Sequence, residues 1–126
     1  MVTIPVSVGE LIDKLSILQV KKLKITNPEG LKYVSEEFEL LYNQSEVYLQ
    51  VHEIKSLYES LTEVNSALWD VEDKLRVFES EKKFDEEFID LARKVYYTND
   101  ERFRLKNEIN SITLSKIREV IDYKPY

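Results

Sequence analysis

Apolar residues recur along this chain at alternating steps of three and four. The longest run is Ile54, Leu57, Leu61, Val64, Leu68, Val71, Leu75 and Phe78, a coiled-coil-like seam without a slip. A second seam comprises Phe88, Leu91, Val95, Thr98, Arg102, Leu105, Ile109 and Ile112, and its middle is polar at Thr98 and Arg102. Earlier stripes are Leu11, Leu15, Leu18 and Ile25, widened by Ile12 and Leu23, and then Leu31, Val34, Phe38 and Leu41. Each has the helical period.

Punctuation is sparse. The two glycines and three prolines are Pro5, Gly9, Pro28, Gly30 and Pro125. Nothing interrupts Leu31 to Lys124, and strands need turns. The pattern predicts an all-α antiparallel bundle in one domain, residues 1–126, with helices over roughly 7–25, 28–43, 46–81 and 85–120. A short first pair would lie against a long hairpin of the third and fourth helices. Ser7 and Glu10 form a capping box, with Val6 and Leu11 as its staple. Asn27-Pro28 starts the second helix. Asp85 caps the fourth, with Phe84 and Ile89 as a second staple. Asn43-Gln44-Ser45 is the predicted break before the third helix.

The stretch NSALWDVEDKLR, residues 65–76, places Asn65, Trp69, Glu72 and Arg76 along one flank of the third helix. The short link from Glu79 to Phe84 makes that helix the antiparallel neighbour of the fourth. With a turn near 82–83, facing residues have an index sum of about 165. Glu72 is then expected opposite Arg93, Trp69 opposite Tyr96, and Asn65 opposite Asn99 or Asp100. One reading of this cluster is structural: a partly buried ion pair and an amide pair that fix register, with Trp69 a core residue whose indole N–H is satisfied. The other is a pocket. Arg76, Arg93 and Arg102 would hold an anion, Trp69 and Tyr96 would stack on it, and Asn65 and Asn99 would orient it.

Composition narrows the classes. Hydrophobic residues are 43% and charged residues 33%, neither a disordered nor a membrane composition. No apolar run approaches the roughly 20 residues that span a bilayer, and MVTIPVSVGE lacks the regions of a signal peptide. The net charge of −6 argues against nucleic acid, where affinity rests on phosphate neutralisation. The chain has no cysteine, which fits a cytoplasmic location. His52 is the lone histidine and has no second soft ligand beside it. Gly9 stands alone before a helix, far short of a phosphate loop. No serine–histidine arrangement suggests a triad. The pairs Glu36/Glu39 and Asp70/Asp73 resemble the carboxylates of all-α nucleotide pyrophosphohydrolases, but the second pair departs from that pattern. They read as a solvated acidic face. The residues predict no bound metal and no cofactor.

IPVSVGELIDKLSIL, LWDVEDKLR and FIDLARKVYYTNDERFRLKNEIN resemble a family of short bacterial and phage proteins known as a domain of unknown function. The resemblance covers most of the chain outside 27–60. It matches at Glu10, Asp13, Lys14, Asn65, Trp69, Asp70, Glu72, Asp73, Arg76, Arg93, Tyr96, Asn99, Asp100, Arg102, Lys106 and Asn110. It implies a small soluble helical protein, with some members similar to proteins encoded near surface-polysaccharide genes. It implies no catalytic role. ELIDKLSIL also resembles the first helix of chorismate-mutase-like bundles, over a short stretch of common helix residues.

Three functions follow. The first is a structural or interaction module, whose bare seams bind a protein partner or a second copy. The alternative is a binder of a small anionic ligand, a sugar nucleotide or phosphate-type molecule, at Asn65, Trp69, Glu72, Arg76, Arg93, Tyr96, Asn99 and Arg102. The third is a helical-bundle enzyme acting by electrostatics. Because the long hairpin outreaches the first pair, a homodimer built on it is expected.

Overall fold

The computed structural model describes residues 1–126 as four helices: α1 (Val8–Lys24), α2 (Pro28–Leu49), α3 (His52–Ser80) and α4 (Glu86–Thr113). They take up 76% of the chain, and there is no strand, as the unbroken apolar periodicity predicts.

Three of the four helix starts are written in the sequence. The Ser7 hydroxyl accepts from the Glu10 N–H at 3.0 Å. The Asn27 side chain accepts from Gly30 at 2.9 Å and that of Asp85 from Phe88 at 3.1 Å. Each satisfies an amide with no partner inside its helix. Phe84 and Ile89 do not close a staple, since both stay about half exposed. Phe84 instead packs edge-on against Phe88, with ring centroids 5.2 Å apart.

Two helix boundaries differ from expectation. Asn43-Gln44-Ser45 does not break the chain, because α2 runs on to Leu49. Ser45 is fully buried and donates its hydroxyl to the Leu41 carbonyl at 2.7 Å, which keeps a polar residue inside a helix. The break falls at Gln50 and Val51, and Val51 is extended and caps α3 with no side-chain bond. At the other end α4 stops at Thr113 rather than near 120. Leu114 turns left-handed (φ 53°, ψ 43°), and the Ser115 N–H bonds back to the Asn110 carbonyl at 2.9 Å, a Schellman-type closure. Residues 114–126 then double back along α4.

At 29 and 28 residues, α3 and α4 span about 44 and 42 Å, less than the expected hairpin. α1 is the central helix and touches the other three, while α2 and α4 do not meet. The core lies where α1 crosses the lower hairpin, at Ile12, Ile54, Leu61, Leu105 and Ile109. Leu15, Leu18 and Val20 are buried as well, whereas Leu23 is exposed. Enclosure of α1 also buries residues that an amphipathic stripe would leave in water: Gly9, Asp13 and Ser16.

Candidate functional site

The fully buried Asp13 carboxylate organises the polar interior. Arg102 grips it side-on, with Nε donating to Oδ1 at 2.9 Å and Nη2 to Oδ2 at 2.7 Å. Asn65 Nδ2 donates to Oδ1 at 3.1 Å and to the Ser16 hydroxyl at 2.8 Å. The Ser16 hydroxyl donates in turn to the Asp13 backbone carbonyl at 2.6 Å. α1, α3 and α4 are thus joined through one carboxylate. The hydrogen bonds that Arg102 donates to Asp13 hold the Arg102 pKa above its ordinary value against the opposing effect of burial, helped by the charges of Asp13, Glu10 and Glu119.

Lys106 sits one turn away from Arg102, with its side chain only 8% exposed. Its ammonium is 2.8 Å from Glu10, 2.6 Å from Glu119 and 4.0 Å from Asp13. Burial pulls the Lys106 pKa down. Hydrogen bonds to Glu10 and Glu119 and the charge of Asp13 more than offset this, so the net shift is upward. Below this layer the Gly9 N–H donates to Asn110 Oδ1 at 2.7 Å.

Two cavities open on either side of Arg102. One, about 300 Å³, is a cleft of α1, α3 and α4 with an apolar floor of Ile17, Val20 and Leu68; Asn65, Trp69, Glu72, Asp73, Arg76 and Arg102 form its polar rim. The other, about 1050 Å³, lies between α4 and the returning 114–126 segment. It receives Tyr96, Asn99, Arg102, Lys106 and Glu10 from the bundle, and Glu119, Tyr123 and Tyr126 from the segment.

The eight residues expected in one pocket are therefore divided. Asn65, Trp69, Glu72 and Arg76 share the smaller cleft, Tyr96 and Asn99 line the larger cavity, and Arg102 belongs to both. Arg93 lines neither; it is exposed beside Tyr96 and Tyr97. It does not pair with Glu72, and Asn65 bonds α1 rather than Asn99. The two-helix register omitted the third helix. α1 puts Asp13 between the polar flanks of α3 and α4 and draws both Asn65 and Arg102 to itself.

Asp13, Lys106, Glu10, Asn110 and Glu119 lie outside the expected pocket. Of these, Glu119 carried no signal, since its place depends on the reversal at Leu114. Asp70 pairs with Lys24 at 2.9 Å while Asp73 faces the smaller cleft, so the D-x-x-D pair is split.

The Tyr126 hydroxyl donates to Asp100, and its ring packs on Tyr96 and Tyr97 with centroids 5.3 and 4.7 Å away. That hydrogen bond is the main cause pushing its pKa from 10.0 up to about 12. A pKa raised on folding stabilises the protonated form. The contact is complete below pH 10 and lost as pH rises through about 12. The phenolate absorbance present in wild type and missing from Tyr126→Phe should therefore titrate near pH 12. A midpoint near 10 would show that the bond to Asp100 does not form.

No helix is long and apolar enough to cross a membrane. No curated protein and no solved structure matches the chain. A family match extends from residue 2 to residue 125, taking in all four helices, the smaller cleft and all of the larger cavity's lining except Tyr126. The chain belongs to the family of unknown function DUF6165.

Proposed function

We propose that this bundle binds a small anionic ligand of sugar-phosphate size in the cleft at Trp69. The observation that carries this reading is the state of Arg102. Asp13 engages two of its five N–H donors, and the guanidinium, 26% exposed, keeps the others for the cavities. An arginine fixed from behind is preorganised for an anion. Arg76 supplies a second guanidinium at the rim, and Trp69 supplies a flat face. Both Asn65 N–H groups face α1, so its carbonyl remains to accept from a ligand hydroxyl, as do Glu72 and Asp73. A cleft near 300 Å³ lies at the small end of ligand sites, which suits a hexose phosphate better than a nucleotide sugar.

Trp69 is the only tryptophan, so fluorescence excited beyond the tyrosine absorption band reads this cleft alone. Titration with hexose phosphates, inorganic phosphate and nucleotide sugars should give a saturable change for the first class. Arg76→Ala should weaken it by roughly tenfold or more, the loss of one charge-assisted bond. Arg76 is exposed, so the fold survives the change. No response to any of these compounds at millimolar concentration rejects the reading.

A second reading, an interaction module that pairs with its own copy, is supported by the surface. A 15.0 kDa monomer is expected to expose about 7,000 Å², and this chain exposes 8913 Å². Part of the exposed apolar surface lies at the hairpin tip. The Lys24–Asp70 pair fastens the end of α1 to α3, and farther along the hairpin Val77, Phe84 and Ile89 are each more than half exposed. Symmetric pairing of two tips, in the cytoplasm of a cell, would cover them. Sedimentation equilibrium at micromolar concentration should then give twice 15.0 kDa; the monomer mass rejects it.

A further inference from the structure

The 114–126 segment is fastened by side chains. After Ser115 it makes no backbone–backbone hydrogen bond. Arg118 reaches the Asn110 carbonyl at 3.3 Å, Glu119 reaches Lys106, and Tyr126 reaches Asp100. Such a strap can lift without breaking any element of the fold.

The seat of Glu119 is unusual in its charge count. Arg102 and Lys106 are already matched by Asp13 and Glu10, all four on helices. Glu119 is a third carboxylate, brought in by the strap, and it makes the shortest of the Lys106 contacts at 2.6 Å. Lys106 is nearly buried and fixed, and the cavity of about 1050 Å³ continues outward from it past Phe103 and Tyr123.

We propose that the seat of Glu119 is an anion site, that the strap is its built-in occupant, and that a carboxylate- or phosphate-bearing ligand enters by displacing Glu119. One carboxylate or singly ionised phosphate group that replaces Glu119 leaves the charge at the seat unchanged and inherits the Lys106 ammonium. An anion added beside Glu119 would set four negative groups against two positive ones. They would lie around a Lys106 side chain only 8% exposed, where water and salt screen them little, unlike the exposed charges of Asp73 and Arg76 at the Trp69 cleft. Binding and release of the strap are therefore one event. The tethered carboxylate competes at the effective concentration of a short linker, in the millimolar range, and scales apparent affinity by the fraction of time the seat is empty. This site lies across Arg102 from the Trp69 cleft, and its assignment does not depend on that cleft.

The test uses the full chain with inorganic phosphate and, separately, succinate as probes. In wild type, nuclear magnetic resonance should show the amides of 116–126 moving to disordered shifts as either probe saturates. Calorimetry should show Glu119→Gln binding the probe at least tenfold more tightly, and Lys106→Met in that background losing it. A response to only one probe identifies the anion class and supports the site. Binding no tighter in Glu119→Gln, binding with the strap still docked, or no binding to either protein overturns the proposal. If Glu119→Gln fails to fold, the wild-type resonance titration decides by itself. Trp69 fluorescence reports the other cleft, so failure of one site is distinguishable from failure of the other.

Discussion

Asp13→Asn should lower the unfolding free energy by about 3–5 kcal/mol, the usual cost of breaking a buried ion pair from one side. The carboxylate is fully buried and takes three hydrogen bonds from two other helices. Asparagine keeps the shape and removes the charge. It leaves the Arg102 guanidinium partly buried without its counter-ion, and Asn65 without its better acceptor. For a chain of this size the loss corresponds to a fall in Tm of about 10–20 °C. Arg102→Met added to Asp13→Asn should restore roughly half of the loss, because the stranded charge is then gone. Chemical denaturation of the two variants decides. If the double variant is no more stable than the single one, Asp13 and Arg102 are not coupled and the centre of the site has been misassigned.

Gly9→Ala should also be strongly destabilising, although alanine in place of glycine usually stabilises a helix by up to about 1 kcal/mol. A Cβ at Gly9 would strike the Lys106 carbonyl oxygen and come within 2.8 Å of Asn110 Oδ1 and 3.1 Å of its Cγ. The first obstacle is backbone of α4 and cannot swing away. Separating the helices would stretch the Gly9–Asn110 bond of 2.7 Å and open the core at Ile12 and Ile109. Overpacking and the lost bond together should give a net cost of about 2–4 kcal/mol. Gly30→Ala is the control. Its nearest neighbour would be Ile25 Cγ2 at 3.4 Å, an ordinary contact, so the change should fall within about 0.5 kcal/mol of wild type. Equal effects at the two glycines would mean that α1 and α4 do not approach so closely.

These two residues also mark the limit of what the sequence discloses. Caps at Ser7, Asn27 and Asp85 are local hydrogen bonds, and their residue types announce them. The seams of α3 and α4 follow from spacing alone. The polar flank at Asn65, Trp69, Glu72 and Arg76 was equally legible, because one helix fixes which residues share a face. The partners of that flank were not. Pairing α3 with α4 by index sum treats the hairpin as two bodies, but Asp13 of α1 stands between them. Asp13 looks like a surface residue in a stripe analysis, because the stripe assumes that one face is wet, and α1 has almost no wet face. Gly9 reads as a helix start when only its own helix is in view. Glu119 depends on a left-handed Leu114, a conformation that leucine rarely adopts and that no local pattern signals.

The bond from Asp13 to Arg102 joins residues 89 positions apart, and that from Gly9 to Asn110 spans 101. For a helical bundle, whose contacts are usually local, this is a late closure. As the chain emerges from a ribosome, α1 to α3 come out first and carry a buried-type aspartate with no cation to meet it. Synthesis at about 5–20 residues per second delays Arg102 by several seconds. Through that interval α2 and α3 can already pack on the central helix and Asn65 can meet Asp13, but the carboxylate has no counter-ion and the side of Ile12 that Leu105 and Ile109 cover stays open. Only α4 brings Arg102 to Asp13 and Leu105 and Ile109 to Ile12, so the core cannot be completed before that helix is available.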